Sequence, residues 1–170
     1  MDVAKAAMRA EMGLPAARGR RRPGLDLQHF FPYQLAVLAD AVSTALSQIY
    51  AERFDLTRPE WRILATLGSG GGIRAREIGR LTTLDKMQVS RAVQRLERRG
   101  LIARKDDADD RRNKRVRLTR AGRSLYDQIV PLVQEREKAI LADLSADDRA
   151  TLDRIIAGLL ARSRSFHGCR

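Results

Sequence analysis

The apolar residues of this chain recur mostly at the spacing of one helix face. Between residues 26 and 54 they repeat at intervals of three and four, and the same spacing returns at 119–144 and at 145–160. Such intervals place side chains on one side of an α-helix. The pattern therefore predicts three long amphipathic helices, one before and two after a central segment with a shorter and more mixed pattern.

Three shorter helices are predicted in the central segment from their start and stop signals. Thr57 and Glu60 have the spacing of a capping pair, in which the side chain of each accepts a hydrogen bond from the backbone amide of the other. Asp85 and Gln88 repeat that arrangement, and Gly100 stands where a left-handed residue would end the helix. A short helix over residues 75–82 precedes this capped helix, and Ile78 and Leu81 are expected to be its buried residues.

Two runs of alternating polar and apolar residues follow, at 101–105 and 114–118, around the charged sequence DDADDRRN. Alternation with a period of two is typical of half-buried strands, so the runs predict a β-hairpin with a charged tip. In the second run, Arg115 and Arg117 are expected to point outward. Ile73 is a candidate for a minimal third strand. Two helices joined by a tight turn and followed by a hairpin form a winged helix-turn-helix. The predicted fold class is mainly α with a small β wing and six helices.

The long apolar stripes outside the central segment exceed what one small winged domain can cover. Because apolar faces are stable when buried, we expect a homodimer formed through the N- and C-terminal helices. A two-fold dimer places two reading helices about 34 Å apart and predicts a pseudo-palindromic site. The expected divisions are a flexible basic N-terminal arm at 1–24, a dimerisation helix at 25–54, a winged helix-turn-helix DNA-binding region at 55–118, C-terminal dimerisation helices at 119–164 and a tail at 165–170.

The net charge of +12 is concentrated over the winged region, because residues 55–123 contain 19 Lys or Arg and only 9 Asp or Glu. Charge gathered over one motif indicates an anionic partner, here double-stranded DNA, although a solvated surface would give the same composition. A membrane fits less well, because the basic helix lacks a broad apolar face and no apolar run is long enough to cross a bilayer. With no signal-peptide core at the N-terminus, a cytoplasmic protein is expected.

One side of the helix at 85–98 carries polar and basic residues and faces away from the apolar stripe. A helix of this length is about 21 Å long and fits a major groove about 12 Å wide. We therefore predict DNA contacts from this helix at Lys86, Met87, Gln88, Ser90, Arg91 and Arg95. At the hairpin tip, Arg111 and Arg112 suit the narrow, negative minor groove, and Asp110 is expected to hold an arginine in place.

The sequence lacks the usual signatures of an enzyme. Its two histidines are His29 and His167, its one cysteine is Cys169, and no Gly-x-Ser-x-Gly or His-Glu-x-x-His pattern occurs. The glycines at 68–72 are not followed by the Lys-Ser or Lys-Thr of a phosphate-binding loop. We expect no catalytic residue, no metal and no cofactor. The alternative to a DNA reader is a winged helix that binds protein or RNA, since the acidic run at 106–110 suits a protein partner better than phosphate.

Three stretches carry a family resemblance: LTRPEWRILATL, IGRLTTLDKMQVSRAVQRLERRGLI and DRRNKRVRLTRAG. Together with the order of the elements, they resemble the MarR family of transcriptional regulators over about residues 31–160. The resemblance implies a winged helix-turn-helix homodimer, usually a repressor. A small ligand bound between the dimer helices and the reading region would release such a protein from DNA.

The same resemblance implies roles for individual residues. Gln88, Ser90 and Arg91 match recognition-helix contacts. In the wing, where Asp110 also matches, Arg111 would be the minor-groove finger and Arg112 a brace or a phosphate contact.

The stretch FFPYQLAVLADAVS further resembles the branch of the family that responds to aromatic acids or their coenzyme A thioesters, such as hydroxycinnamoyl forms. That branch implies a role in aromatic compound catabolism, with His29, Tyr33, Ser43 and Trp61 near an aromatic effector and the basic arm near its phosphates. The alternative is that Tyr33 and Trp61 belong to the core and that His29 is a plain surface residue. No cysteine lies near the N-terminal helix, which speaks against the peroxide-sensing branch.

Overall fold

The computed structural model describes residues 24–70, 72–106 and 114–166. Within these ranges it contains six α-helices and three short strands, which confirms the predicted fold class. After a short 3-10 helix at Leu27–His29, the elements are α1 (Phe31–Phe54), α2 (Arg58–Gly68), β1 (Ile73–Arg74), α3 (Ala75–Thr82), α4 (Lys86–Arg98), β2 (Ile102–Asp106), β3 (Lys114–Leu118), α5 (Arg120–Ile140) and α6 (Ala146–Ser165).

The chain divides into two compact units, one ending at Val37 and the other beginning at Leu38, so α1 starts in the first and continues in the second. In the described part of the first unit, His29 Nδ1 lies 3.0 Å from a carboxylate oxygen of Asp26. The side-chain amide of Gln34 donates to the carbonyl of Gln28 at 2.7 Å. The Gln34 hydrogen bond ties the 3-10 helix to the first turn of α1.

The core of the second unit lies where α2, α4, α5 and the sheet meet, and its members are aliphatic residues on the inner face of each element. They are Leu56, Ile63, Leu64, Leu67, Ile78, Ala92, Val93, Leu96, Leu101, Ile102, Val116 and Ile129, with the aromatic Tyr50. The prediction that Leu81 is buried was wrong, because its side chain is 51% exposed. The buried position near the end of α3 is taken by Thr82, whose hydroxyl donates to the carbonyl of Ile78 at 2.6 Å.

The helix starts and stops follow the predicted capping chemistry. Both reciprocal boxes, Thr57 with Glu60 and Asp85 with Gln88, are formed. Gly100 has φ +66°, the left-handed conformation that glycine adopts without steric cost, and its amide donates to the carbonyl of Glu97 at 2.9 Å. The cap residues thus fix both ends of α4, which is the helix predicted to read DNA.

The three strands form an antiparallel sheet in the order β1-β3-β2. Ile73 pairs with Val116, which confirms the predicted third strand. In the hairpin, Ile102 pairs with Leu118 and Arg104 with Val116. The sheet packs Ile102 and Val116 into the core while its other face meets solvent, which is the usual arrangement of a small antiparallel sheet.

The C-terminal helices leave an apolar stripe uncovered. α5 ends at Ile140, before the predicted boundary at residue 144, because a turn over 141–143 separates it from α6. The stripe on α6 consists of Leu152, Ile155, Ile156, Leu159 and Leu160, each 37–51% exposed. Among the helices of the described ranges, none combines the length and the apolar character that crossing a membrane requires.

Candidate DNA-binding surface

The first two turns of α4 present polar and basic side chains to solvent. We call the exposed set Lys86, Met87, Gln88, Ser90 and Arg91 the reading surface. Met87 has 60% of its surface accessible, whereas Val93 and Leu96 on the inner side of the same helix are buried. Five of the six contacts predicted on this helix therefore lie at one exposed end of it.

Gln88 also belongs to the cap of α4. Its side-chain oxygen accepts from the backbone amide of Asp85 at 3.2 Å, and its own backbone amide donates to Oδ1 of Asp85 at 2.8 Å. The side-chain NH2 group is consequently the part of Gln88 that is available to a base. The cap holds the first turn of α4 in place, because it satisfies backbone donors that would otherwise have no partner.

Side-chain hydrogen bonds from α2 stabilise the turn between α3 and α4. Thr83 in this turn is left-handed, with φ +57°. Arg62 of α2 donates to the carbonyl of Thr82 at 3.4 Å and to the hydroxyl of Thr83 at 3.1 Å. At Gly79 on α3, a β-carbon would lie 3.3 Å from the carbonyl oxygen of Leu84, so glycine allows the turn to pack closely against α3. These contacts fix the angle at which α4 leaves the turn.

Arg95, the sixth predicted contact, has partners within the protein. Its Nη2 lies 2.9 Å from Oδ2 of Asp55, and its Nε lies 3.1 Å from Oε1 of Glu60, a carboxylate with 1% of its side chain exposed. No local sequence pattern indicated these partners, because they precede Arg95 by 40 and 35 positions and lie in different elements. A DNA contact at Arg95 stays a prediction, but its guanidinium already serves an internal ion pair.

An ion pair joins the wing to the reading helix. Arg104 of β2 makes two contacts with Glu97 of α4, at 2.7 Å from Nε to Oε1 and at 3.2 Å from Nη2 to Oε2. On the next strand, Arg115 was expected to point outward but is half-buried, because its guanidinium donates to the carbonyl of Gly72 at 3.0 Å. The predicted tip residues Asp110, Arg111 and Arg112 lie outside the described residues, so their roles stay predictions.

The reading surface and the first strand of the hairpin lie within a segment that is similar to known regulators. The sequence profile of the MarR family matches residues 54–113. YwoH, an uncharacterized HTH-type transcriptional regulator of Bacillus subtilis, is 30% identical over 98 residues, which cover 58% of this chain and 71% of YwoH. This chain belongs to the MarR family.

Two further likenesses accompany this MarR-family assignment. The homoprotocatechuate degradative operon repressor of Escherichia coli is 24% identical over 114 residues, which cover 67% of this chain and 77% of that repressor. A MarR/EmrR family transcriptional regulator from Acinetobacter sp. ADP1 has a crystal structure with a TM-score of 0.76 and 26% identity, covering 83% of this chain and 99% of that one. As a MarR-family member the protein is a DNA-binding transcriptional regulator and not an enzyme, which sets aside the alternative of a protein- or RNA-binding module.

The four predicted effector residues of this MarR-family regulator fall into two groups. His29 and Tyr33 lie in the first unit, where His29 is exposed and Tyr33 is half-buried on α1. Ser43 and Trp61 lie in the second unit and are both half-buried. Their role in effector binding stays a prediction.

Trp61 is the middle ring of an aromatic stack that links three helices. Its ring centroid lies 5.7 Å from that of Tyr50 on α1 and 6.2 Å from that of Tyr126 on α5, with interplanar angles of 22° and 21°. Burial raises the pKa of Tyr50, and the positive charges of Arg58 and Arg62 oppose that shift. The stack gives Trp61 packing partners in the core whether or not it also meets an effector.

A groove of about 500 Å³ lies between the second halves of α1 and α5. Apolar side chains such as Ile49 and Leu132 line it together with charged residues that include Arg53, Glu135 and Arg136. Neither Ser43 nor Trp61 is among its lining residues. Over the described ranges, no cluster of three or more His, Cys, Asp or Glu side chains is arranged to hold a metal ion.

Proposed function

We propose that this MarR-family regulator is a homodimeric repressor that reads a pseudo-palindromic operator and leaves it when a small aromatic effector binds. The observation that carries the DNA part is the reading surface, an exposed and partly basic end of a helix whose other side is buried. A helix of 13 residues is about 20 Å long, and a major groove about 12 Å wide admits it.

The reading surface supplies base contacts, and basic residues around it supply phosphate contacts. The side chains of Arg91 and Gln88 are long enough to reach base edges in the major groove, and the exposed Met87 can make an apolar contact with the methyl group of thymine. Arg111 at the wing tip would enter the minor groove, with Arg112 as a brace or on a phosphate and Asp110 holding an arginine in place. Phosphate contacts give most of the affinity, and the few base contacts select the sequence.

The exposed apolar surface of the C-terminal region supports the proposed dimer. Five aliphatic side chains form an exposed stripe along α6, and an exposed apolar stripe of this kind marks an interaction surface. Because most oligomers are symmetric homo-oligomers, we propose that a second copy of this chain covers it. We propose the division of the chain into a basic arm at 1–24, a dimerisation helix at 25–54, the DNA-binding region at 55–118, dimerisation helices at 119–164 and a tail at 165–170. Two reading helices then occupy successive turns of one DNA face.

For the effector, we propose an aromatic acid or its coenzyme A thioester. The likeness to a homoprotocatechuate operon repressor supports an aromatic acid, since homoprotocatechuate is one. His29, Tyr33, Ser43 and Trp61 are the residues proposed to meet it, as a hydrogen-bonding and aromatic set. An effector can shift the equilibrium from the DNA-binding form to the released form only by the ratio of its affinities for these two forms.

The DNA proposal is tested by selecting bound duplexes from a random pool and then titrating the selected operator at several salt concentrations. Arg91→Ala should weaken binding by about 1 to 3 kcal/mol if Arg91 makes a bidentate base contact. Arg154→Ala, on the exposed surface of α6 away from the apolar stripe, is the matched control and should bind like the wild type. A selected site without two-fold symmetry, or wild-type binding by Arg91→Ala, would contradict the proposal.

The effector proposal is tested separately, on the same operator complex. Homoprotocatechuate, a hydroxycinnamate and its coenzyme A thioester are titrated in turn, and release of the operator is followed by fluorescence anisotropy. At least one of these compounds should release the operator. Unchanged operator affinity with all of them would exclude the aromatic effector and leave the DNA proposal standing.

A further inference from the structure

Two arginines at the C-terminal end of α4, one in its last turn and one at its C-cap, reach the corner where α1 ends and α2 begins. Arg95 and Arg99 are four residues apart and therefore lie on the same side of the helix. The corner residue, Asp55, has φ +52°, an uncommon backbone conformation for any residue other than glycine. The segment from Phe54 to Asp55 thus has a specific shape that both arginines contact.

The arginines bind the backbone of this corner as well as its side chains. Arg99 donates through Nη1 to the carbonyl of Asp55 at 2.6 Å and through Nη2 to the carbonyl of Phe54 at 2.9 Å. Arg95 donates to the carbonyl of Asp55 at 3.3 Å. Carbonyls at the end of a helix have no partner within it, so these guanidinium groups satisfy acceptors that α1 leaves open.

Glu60 supplies the buried part of the same contact. Its Oε2 accepts from the backbone amide of Thr57 at 2.7 Å and from the Thr57 hydroxyl at 2.8 Å, which completes the cap of α2. Its Oε1 is buried and lies 3.1 Å from Nε of Arg95, an ion-pair distance at an angle that makes no regular hydrogen bond. A buried carboxylate is stable only with a compensating charge, and Arg95 provides it.

We propose that Arg95 and Arg99 are positioning residues, which clamp the reading helix to the corner between α1 and α2 so that the reading surface is held at a fixed place. The proposal rests on the reading role of α4 proposed above. The Asp55 carboxylate is 82% exposed and adds little, whereas the backbone carbonyls and the buried Glu60 carry the contact. The clamp lies at the end of α4 opposite the reading surface, so it acts on DNA binding through the position of the helix.

A clamp and a direct DNA contact predict different salt dependence. A phosphate contact releases counterions, so its loss lowers the slope of the logarithm of affinity against the logarithm of salt by about 0.9. Loss of the clamp misplaces the reading surface without removing a phosphate contact. Arg95→Met should therefore weaken operator binding about 2- to 30-fold, as expected when a coupled contact is lost, with an unchanged salt slope.

The experiment measures operator affinity against salt, and thermal stability, for Arg95→Met, Arg99→Met, Glu60→Gln and the double variant Arg95→Met with Glu60→Gln. If Arg95 acts through Glu60, the double variant should bind no more weakly than Arg95→Met alone. Arg95→Lys should restore part of the affinity, because it returns the charge without the branched geometry. Three results would overturn the clamp. They are additive losses of affinity in the double variant, a salt slope lowered by about 0.9 in Arg95→Met, and wild-type affinity of Arg95→Met.

Arg99→Met keeps the proposal testable if Arg95→Met fails to fold. It leaves no buried charge unpaired, because the partners of Arg99 include two backbone carbonyls and an exposed carboxylate. It should weaken operator binding with an unchanged salt slope, and wild-type binding by this folded variant would overturn the clamp. Arg91→Ala separates the two proposals, since wild-type binding by that variant contradicts the reading role of α4 itself.

Discussion

Gly122, in the first turn of α5, packs against the carbonyl oxygen of Leu101 so closely that a β-carbon at position 122 would overlap with it. The same carbonyl accepts from the backbone amide of Thr119 at 3.0 Å, and the Thr119 hydroxyl caps α5 by accepting from the amide of Gly122 at 3.0 Å. The residues of the sequence Leu-Thr-x-x-Gly, at positions 118–122, thus join the start of α5 to the base of the wing.

Gly122→Ala should destabilise the protein by about 1 to 3 kcal/mol, the usual cost of forcing an extra methyl group into a packed site. Gly158→Ala is the matched control, because Gly158 lies on the exposed α6 with nothing near its missing β-carbon. That variant should be more stable than the wild type by up to about 1 kcal/mol, through helix propensity. Urea unfolding measures both, and equal effects at the two positions would contradict the close contact.

The features that the sequence predicted correctly depend on residues close together in the chain. The capping pair of Asp85 with Gln88 spans three positions, and the left-handed Gly100 needs only its own missing side chain. The pairing of Ile73 with Val116 is a longer-range case, and it was predictable because the wing is a recurring arrangement. Local chemistry therefore determined where the elements begin and end.

The features that the sequence did not reveal join distant elements. The partners of Arg95 lie on the corner before α2 and within α2 itself, and helical spacing placed Arg95 on the polar face without indicating what that face would meet. Leu81 follows the apolar period of a short helix, which predicted its burial. However, α3 ends at Thr82, and the last turn of the helix presents the smaller Thr82 to the core instead of Leu81. Which distant residue a side chain contacts depends on how the helices pack against one another, and a local sequence pattern does not contain that information.

The ion pair between Glu97 and Arg104 should matter more for DNA binding than for stability. Both side chains are partly exposed, at 29% and 43%, so the pair is worth less than about 1 kcal/mol of folding free energy. Because it holds the wing against α4, Glu97→Gln should weaken operator binding about two- to fivefold. Glu137→Gln, on the exposed surface of α5, should bind like the wild type. If Arg104→Ala weakened binding and Glu97→Gln did not, Arg104 would contact DNA directly.

The raised pKa of Tyr50 predicts how stability changes with pH. Above about pH 10, the usual pKa of tyrosine, Tyr50 ionises in the unfolded chain while burial keeps it protonated in the folded one. Its contribution to stability is therefore complete below that pH and is lost as pH rises through the folded-state pKa. Compared with the wild type, Tyr50→Phe should lose less stability between pH 9 and pH 11, as measured by urea unfolding at each pH. Parallel pH profiles of the two proteins would show that Tyr50 is not responsible.

The stripe on α6 should hold the proposed dimer together, because aliphatic surface is driven out of water by about 25 cal/mol for each Å² that a partner covers. Leu159 is 42% exposed in the middle of this stripe, and Leu159→Glu would place a charge in the interface. The wild type should sediment as a dimer and Leu159→Glu as a monomer with weaker operator binding. Ala161→Glu introduces the same charge on the opposite side of α6 and should stay dimeric. A monomeric wild type, or a dimeric Leu159→Glu, would show that α6 is not the interface.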